Sequence, residues 1–196
     1  MSQDDLIGPW SEDKLRLLGK YLDAYTRIMQ GQTWCRNGYH YIDAFAGTGR
    51  ARARDEERYI DGSPRVALTI EHPFHSYTFI EKTPWRIQRL CELKDEFPDR
   101  DIRIREGDCN RIITTKLTPY IRYERFNRGL IFLDPFSMEA EWTTIEKIAK
   151  TRALEIFLNF PVMALNRTVL RNDPNKLTEA QIERMNRFWG STEWRG

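Results

Sequence analysis

Cysteine is scarce in this sequence. Cys35, Cys91 and Cys109 are the only three in 196 residues, odd in number and widely spaced. That excludes a disulfide framework and fits free thiols in a reducing cytosol. Long apolar runs are lacking too: none approaches the roughly 18–20 residues of a membrane span, so no membrane association is expected. The opening MSQDDLIGPW has no basic stretch followed by an apolar one, so it does not read as a secretory leader. Net charge is close to zero, at +2, and by itself gives no electrostatic footprint of nucleic-acid binding. Neither internal repeats nor low-complexity segments occur. Histidines number three, and His72 and His75 straddle Pro73 with no third ligand in view, so no metal site is expected.

What remains is a globular composition, 40% apolar and 31% charged, long enough for one domain with a sizeable core. Arg outnumbers Lys 23 to 8. Arg suits phosphates and planar groups, but the codon bias of a GC-rich genome accounts for the excess more simply. Residues 1–38 read as an N-terminal helical segment. Ser11 is a good N-cap, Leu15, Leu18, Leu22, Tyr25 and Ile28 recur at helical spacing, and the helix ends near Gly31. Residues 39–196 read as one compact α/β domain. Strands are expected at 39–45, 77–81, 102–105, 129–133 and 154–160. Helices are expected from Ser63-Pro64, over 84–97, over 141–150 and over 178–189, the last with a Thr cap and Gly190 past its end. Arg50 to Asp61 is polar and Arg-rich and reads as a mobile loop; Arg50, Arg52, Arg54 and Arg58 could hold a phosphate backbone, but the interleaved Asp55, Glu56 and Glu57 favour a solvated segment. Alternating strands and helices predict βαβ units, a mainly parallel sheet and helices on both faces.

Ligands of such sheets bind beyond the carboxyl ends of the strands. Those ends carry acids: Asp43, Glu81, Asp108 and Asp134. Between the first strand and the next helix stands AGTG, small enough for a sharp turn and a close-lying ligand. It is neither GxGxxG nor a P-loop, because no Gly-Lys-Ser/Thr follows. An acid before a small loop and a second closing the next strand suit a nucleoside. Glu81 can accept from both ribose hydroxyls and Asp108 from an adenine amino group.

DAFAGTG (43–49), Glu81, Asp108 and Asp134-Pro135-Phe136, in this order, resemble the motifs of class I S-adenosylmethionine-dependent methyltransferases. More narrowly, GPW (8–10), KLRLLGKYLDAY (14–25), YIDAFAGTG, DGSP (61–64), FIEK (79–82), FLDPF (132–136) and LNFP (158–161) resemble the three-Cys-motif partner family. The resemblance implies a Rossmann-like methyltransferase fold, S-adenosylmethionine as cofactor, a cytoplasmic protein and a protein partner encoded nearby. It implies a cofactor site made by Asp43, Phe45, Ala46, Gly47, Gly49, Glu81, Lys82, Asp108 and Cys109. Asp43 would then face the methionine end of the cofactor and not serve as a buried strand residue. It implies a catalytic loop at Asp134, Pro135 and Phe136, with an amino group of nucleic acid as the target. The loop departs from the usual acid-Pro-Pro-aromatic pattern: there is one Pro, and Ser137 stands where the aromatic would be. Strands after the fifth do not read out of the sequence. The chain is therefore expected either to lack the last two strands or to take that sheet edge from a partner. Two function classes follow: a methyltransferase, or a methyltransferase-like subunit that serves a partner without catalysis.

Overall fold

The computed structural model describes residues 6–7, 9–53, 57–170 and 176–195. In chain order, β1 is Leu6–Ile7, α1 Pro9–Gln30, β2 Tyr39–Asp43, β3 Arg50–Ala53, β4 Tyr59–Asp61, α2 Ser63–Leu68, β5 Ser76–Glu81 and α3 Pro84–Glu96. Then come β6 Ile102–Glu106, α4 Cys109–Ile112, β7 Arg128–Leu133, α5 Trp142–Lys150, β8 Leu154–Leu158, α6 Val162–Thr168 and α7 Glu179–Trp189. A π-helical turn at Ile113–Leu117 prolongs α4, and a 3₁₀ turn at Tyr123–Arg125 precedes β7.

Five strands form the central sheet in the order β6-β5-β2-β7-β8, all parallel. The chain starts in the middle with β2, runs out to β6, then returns to β7. This puts a topological switch point between β2 and β7, where such sheets open a crevice. Side chains alternate across the sheet, and the two faces have different chemistry. Tyr41, Tyr77, Phe79, Leu130 and Phe132 face Leu18 and Leu22 of α1, Leu68 of α2 and Leu90 and Leu93 of α3. Ile42, Ile80, Ile131 and Leu133 face Ile112, Ile113 and Ile148. Buried on both faces, these strands read as continuous apolar runs. Burying Phe79 or Phe132 alone contributes roughly 1.5–3 kcal/mol. A smaller cluster, Met138, Leu165, Val169, Met185 and Phe188, packs α6 and α7 against the segment after β7.

Three expectations are corrected. Helix α1 begins at Pro9, with Ser11 already inside it; proline's fixed φ suits a first helical position. Ser63 does not cap α2. Gly62 is the N-cap, Ser63 opens the helix, and Pro64 follows. The segment 50–61 is not a free loop. Its two arms pair as an antiparallel hairpin that extends a three-stranded sheet from β1. Ala51 and Ile60 face each other across it and are buried, and Ile60 packs on Leu15 and Val66. Arg58 forks onto Glu12 of α1 with bonds of 2.7 and 2.8 Å. The period-2 pattern of small or apolar side chains in RARA and YID outweighs the density of arginine. Arg54 and Gly8 lie outside the described residues. At the C-terminal end the expectation holds: Thr178 and Gln181 form a reciprocal capping box, and Gly190 closes α7 at φ 88°.

Candidate active site

The parallel register brings the C-terminal ends of β2, β5 and β7 side by side. Asp43 is the last residue of β2, paired in register with Phe79 and Phe132, and it is fully buried. This corrects the expectation that it stands out of the strand. Its carboxyl accepts from the Phe45 N–H at 3.2 Å and the Tyr41 hydroxyl at 3.4 Å, and Ser63 donates to it as well. Burial pushes its pKa up to about 7, against the lowering effect of those donors and with a further push from nearby Asp134. Asp43 thus exchanges its proton near neutrality.

The turn after it is built around two left-handed glycines, Gly47 at φ 62° and Gly49 at φ 74°. Gly47 donates its N–H to Glu81 at 3.1 Å. Gly49 has a different duty from the expected one of admitting a ligand. A Cβ there would come within 2.5 Å of Leu93, so its smallness lets the turn pack on α3. Ahead of the two glycines, Phe45 is half-buried against the isoleucine face and Ala46 is buried in the aromatic one.

Glu81 ends β5 and is buried. One oxygen accepts from the N–H groups of Lys82 and Thr83 at 2.8 and 2.9 Å, the other from Gly47, and the Arg86 guanidinium lies 3.8 Å away. The carboxylate therefore clasps the glycine turn to the start of α3, whose N-cap Thr83 makes no side-chain bond of its own. Three donors fill most, not all, of the roughly four acceptor sites of a carboxylate. Lys82 is exposed. Asp108 is exposed and caps α4 by accepting from the Arg111 N–H at 2.8 Å. Cys109 is buried, and burial first, then neighbouring Asp108, pushes its thiol up to about 12, so it is inert as a nucleophile.

Asp134 follows β7 at the other side of the switch point. Its carboxylate is three-quarters buried and held by two partners: Lys14 of α1, in an ion pair, and the Asn159 amide, at 2.7 Å. Asn159 is itself placed by its N–H on the Leu133 carbonyl at 2.8 Å. With one donor on each oxygen, Asp134 keeps acceptor capacity for a further N–H. Pro135 is buried, whereas Phe136 is 90% exposed, the most exposed large apolar side chain among the described residues. The loop is braced from below by Asn110, which donates to the Glu139 carbonyl and accepts from the Glu141 N–H and the Thr144 hydroxyl. Met138 anchors it in the α6–α7 cluster. Lys14 and Asn110 were not singled out from sequence. Lys14 lies 120 residues from its partner, and no local pattern marks such a pairing.

So the structure gathers Asp43, Phe45, Ala46, Gly47, Gly49, Glu81 and Lys82 at one pair of strand ends. Asp134, Pro135 and Phe136 lie at the adjoining one, and Asp108 and Cys109 beyond β6. His75 takes no part: its ring accepts from the Tyr39 N–H at 3.3 Å, at the opposite end of the strands.

No family model matches the chain, and no curated protein matches it. Solved structures do. Protein LPL1258 from Legionella pneumophila, of the family DUF519, superposes with a TM-score of 0.60 at 14% identity, over 95% of this chain and 75% of that one. YhhF from Escherichia coli, a proposed methyltransferase, superposes with a TM-score of 0.50 at 16% identity, over 81% of this chain and 72% of that one. At these identities the likeness concerns the fold, and the fold is Rossmann-like and methyltransferase-like.

Proposed function

We propose that the chain is a class I S-adenosylmethionine-dependent methyltransferase acting on an amino group of nucleic acid. The observation that carries this reading is the Asp134 loop: a held carboxylate with spare acceptor capacity, at the switch point, beside an almost fully exposed Phe136. The donor set next to it fits the proposed cofactor. Glu81 and Asp108 offer carboxylate oxygens for ribose hydroxyls and an adenine amine, and Asp43 offers a proton-exchanging carboxyl beneath the turn. When bound, S-adenosylmethionine supplies a methyl group on a sulfonium, whose departure leaves a neutral thioether. No strong base is then required of the protein. Asp134 and a backbone carbonyl accept hydrogen bonds from the amine N–H groups and so orient the nitrogen lone pair; the proton shed after transfer passes to solvent. Phe136 stacks on an extruded base, a displaced counterpart of the usual aromatic.

Calorimetry with S-adenosylmethionine and S-adenosylhomocysteine on the purified chain tests the reading. Glu81→Ala should weaken binding by about 1.5–3 kcal/mol, the scale of a hydrogen bond to a charged group. Asp134→Ala should sharply lower kcat for methyl transfer while leaving S-adenosylhomocysteine affinity within a few-fold. No binding by the native chain would overturn the enzyme reading.

A second reading has its own support. The chain also resembles the three-Cys-motif partner family, and β8 has no neighbour on its outer edge among the described residues. Exposed Leu158, Phe160, Val162 and Met163 continue from that edge. In this reading the fold serves a cytoplasmic protein partner, and catalysis is absent. Binding of both cofactor forms without turnover on any nucleic acid would favour it.

A further inference from the structure

We propose that the end of the sheet opposite the candidate active site is a binding surface for single-stranded nucleic acid. Three segments meet there: residues 34–37 before β2, 120–128 leading into β7, and 147–152 at the C-terminal end of α5. They are stitched together. The Asn37 N–H bonds the Phe126 carbonyl at 3.0 Å and its side chain the Arg125 carbonyl at 2.7 Å, while the Tyr123 N–H bonds the Thr151 carbonyl at 3.0 Å.

The segments carry Arg36, Arg122, Arg125, Arg128, Lys147, Lys150 and Arg152 against one carboxylate, Glu124. That is a local excess of six positive charges on a chain whose net charge is +2. Four aromatics stand among them, and all are exposed: Trp34, Tyr120, Tyr123 and Phe126. The Arg128 guanidinium lies between Trp34 and Tyr123, 4.4 and 4.3 Å from the ring centres. Arg152 also covers Tyr123, at 5.6 Å, Arg125 covers Tyr120, at 5.6 Å, and Arg36 covers Phe126, at 5.9 Å. Beside them Arg122, Lys147 and Lys150 line a cleft of ≈ 220 Å³ with Thr118, Pro119 and Thr151.

Arginine stacking on surface aromatics would by itself be ordinary. The backbone argues for more. Among the described residues only two besides glycine have positive φ, Phe126 at 53° and Arg152 at 54°, and both lie on this surface. A bulky residue in that region is strained, and such strain persists where the surroundings impose it, often at ligand clamps. Phe126 closes the 3₁₀ turn as its left-handed cap, with its N–H on the Tyr123 carbonyl at 3.1 Å, and Asn127 holds the segment around it. The Asn127 side chain accepts from the Arg122 N–H and donates to the Tyr120 carbonyl, both at 3.0 Å, which fixes the turn that leaves Phe126 52% exposed. A turn that presents an aromatic to solvent amid cations fits a strand whose phosphates meet Arg and Lys and whose unpaired bases stack on the exposed parts of the rings and on the guanidinium planes over them. An acidic protein would use the cations but has no need of the rings.

The surface is independent of any methyl donor, so binding of a fluorescein-labelled 20-nucleotide single-stranded RNA is measured by anisotropy on the full chain without cofactor, across a salt series. Lys147→Gln/Lys150→Gln should lower affinity and reduce the salt slope by about 1 to 2. Tyr120→Ala/Phe126→Ala should lower affinity at least fivefold at unchanged slope. Melting curves of both variants check that they fold. Native affinity in the aromatic variant, or competition by polyglutamate as effective as by unlabelled RNA, would overturn the proposal.

Discussion

At the residue scale, the acids along the strand ends separate into two kinds. Glu81 and Asp108 already serve the backbone as clasp and cap. Asp43 is buried with a raised pKa, and Asp134 is held by Lys14 and Asn159. Because Asp43 has a raised pKa of about 7 in the folded chain, the folded state holds its proton where the unfolded state has lost it. Stability from this group is full below about pH 4 and is lost as pH rises toward 7, by roughly 4 kcal/mol at 1.36 kcal/mol per unit. Asp43→Asn should flatten that part of the stability curve. Urea midpoints between pH 4 and pH 8 check it; an unchanged pH slope in the variant would place the proton elsewhere. The second prediction concerns Asp134 and Asn159. They follow adjacent strands, and they share a hydrogen bond. They should therefore act as a unit. Asp134→Ala and Asn159→Ala should each impair methyl transfer, and the double variant should lose much less than the sum of the two effects. Strict additivity in kcat would mean that the bond does no work in the reaction.

At the scale of elements, the glycine turn and the hairpin after it decide how the site is closed. Gly49→Ala would meet both a left-handed backbone and Leu93, which is itself buried. It should cost about 1–3 kcal/mol in a denaturant titration, more than Gly47→Ala. Equal losses at the two positions would show that backbone strain alone is at work. The example also shows what sequence could yield. The five strands, the α3, α5 and α7 helices and the acids at strand ends were legible, because apolar runs, caps and breakers are local signals. The hairpin was missed because four arginines masked the small Ala51 and the apolar Ile60, a buried cross-strand pair. The different tasks of Gly47 and Gly49 were not legible, since which glycine meets Leu93 depends on a helix 44 residues away. Lys14 and Asn110 were silent for the same reason. Their partners, Asp134 and the Glu139–Thr144 segment, are distant in sequence, and a lysine in an amphipathic helix or an asparagine after an acid looks like any surface residue.

At the scale of the whole molecule, the two edges of the sheet are treated differently. On the β6 side the edge strand carries Arg103, Arg105 and Glu106, exposed charges that discourage pairing. On the β8 side the strand runs LEIFL, and its end leads into the exposed Leu158, Phe160, Val162 and Met163. The Asn159 N–H points back to Leu133 of β7, so by strand alternation the Leu158 N–H points outward. An outward row of donors and acceptors beside apolar side chains is a template for another strand. Light scattering of the isolated chain should thus show concentration-dependent self-association, relieved by a protein partner. Leu158→Pro deletes one outward donor and spares the bond from Asn159 to β7, a position where an edge strand tolerates proline. It should reduce association at least severalfold and leave the far-UV circular dichroism spectrum unchanged. A native chain that stays monomeric at high concentration, or a proline variant that associates as strongly as the native chain, would show that this edge is closed by something other than strand pairing.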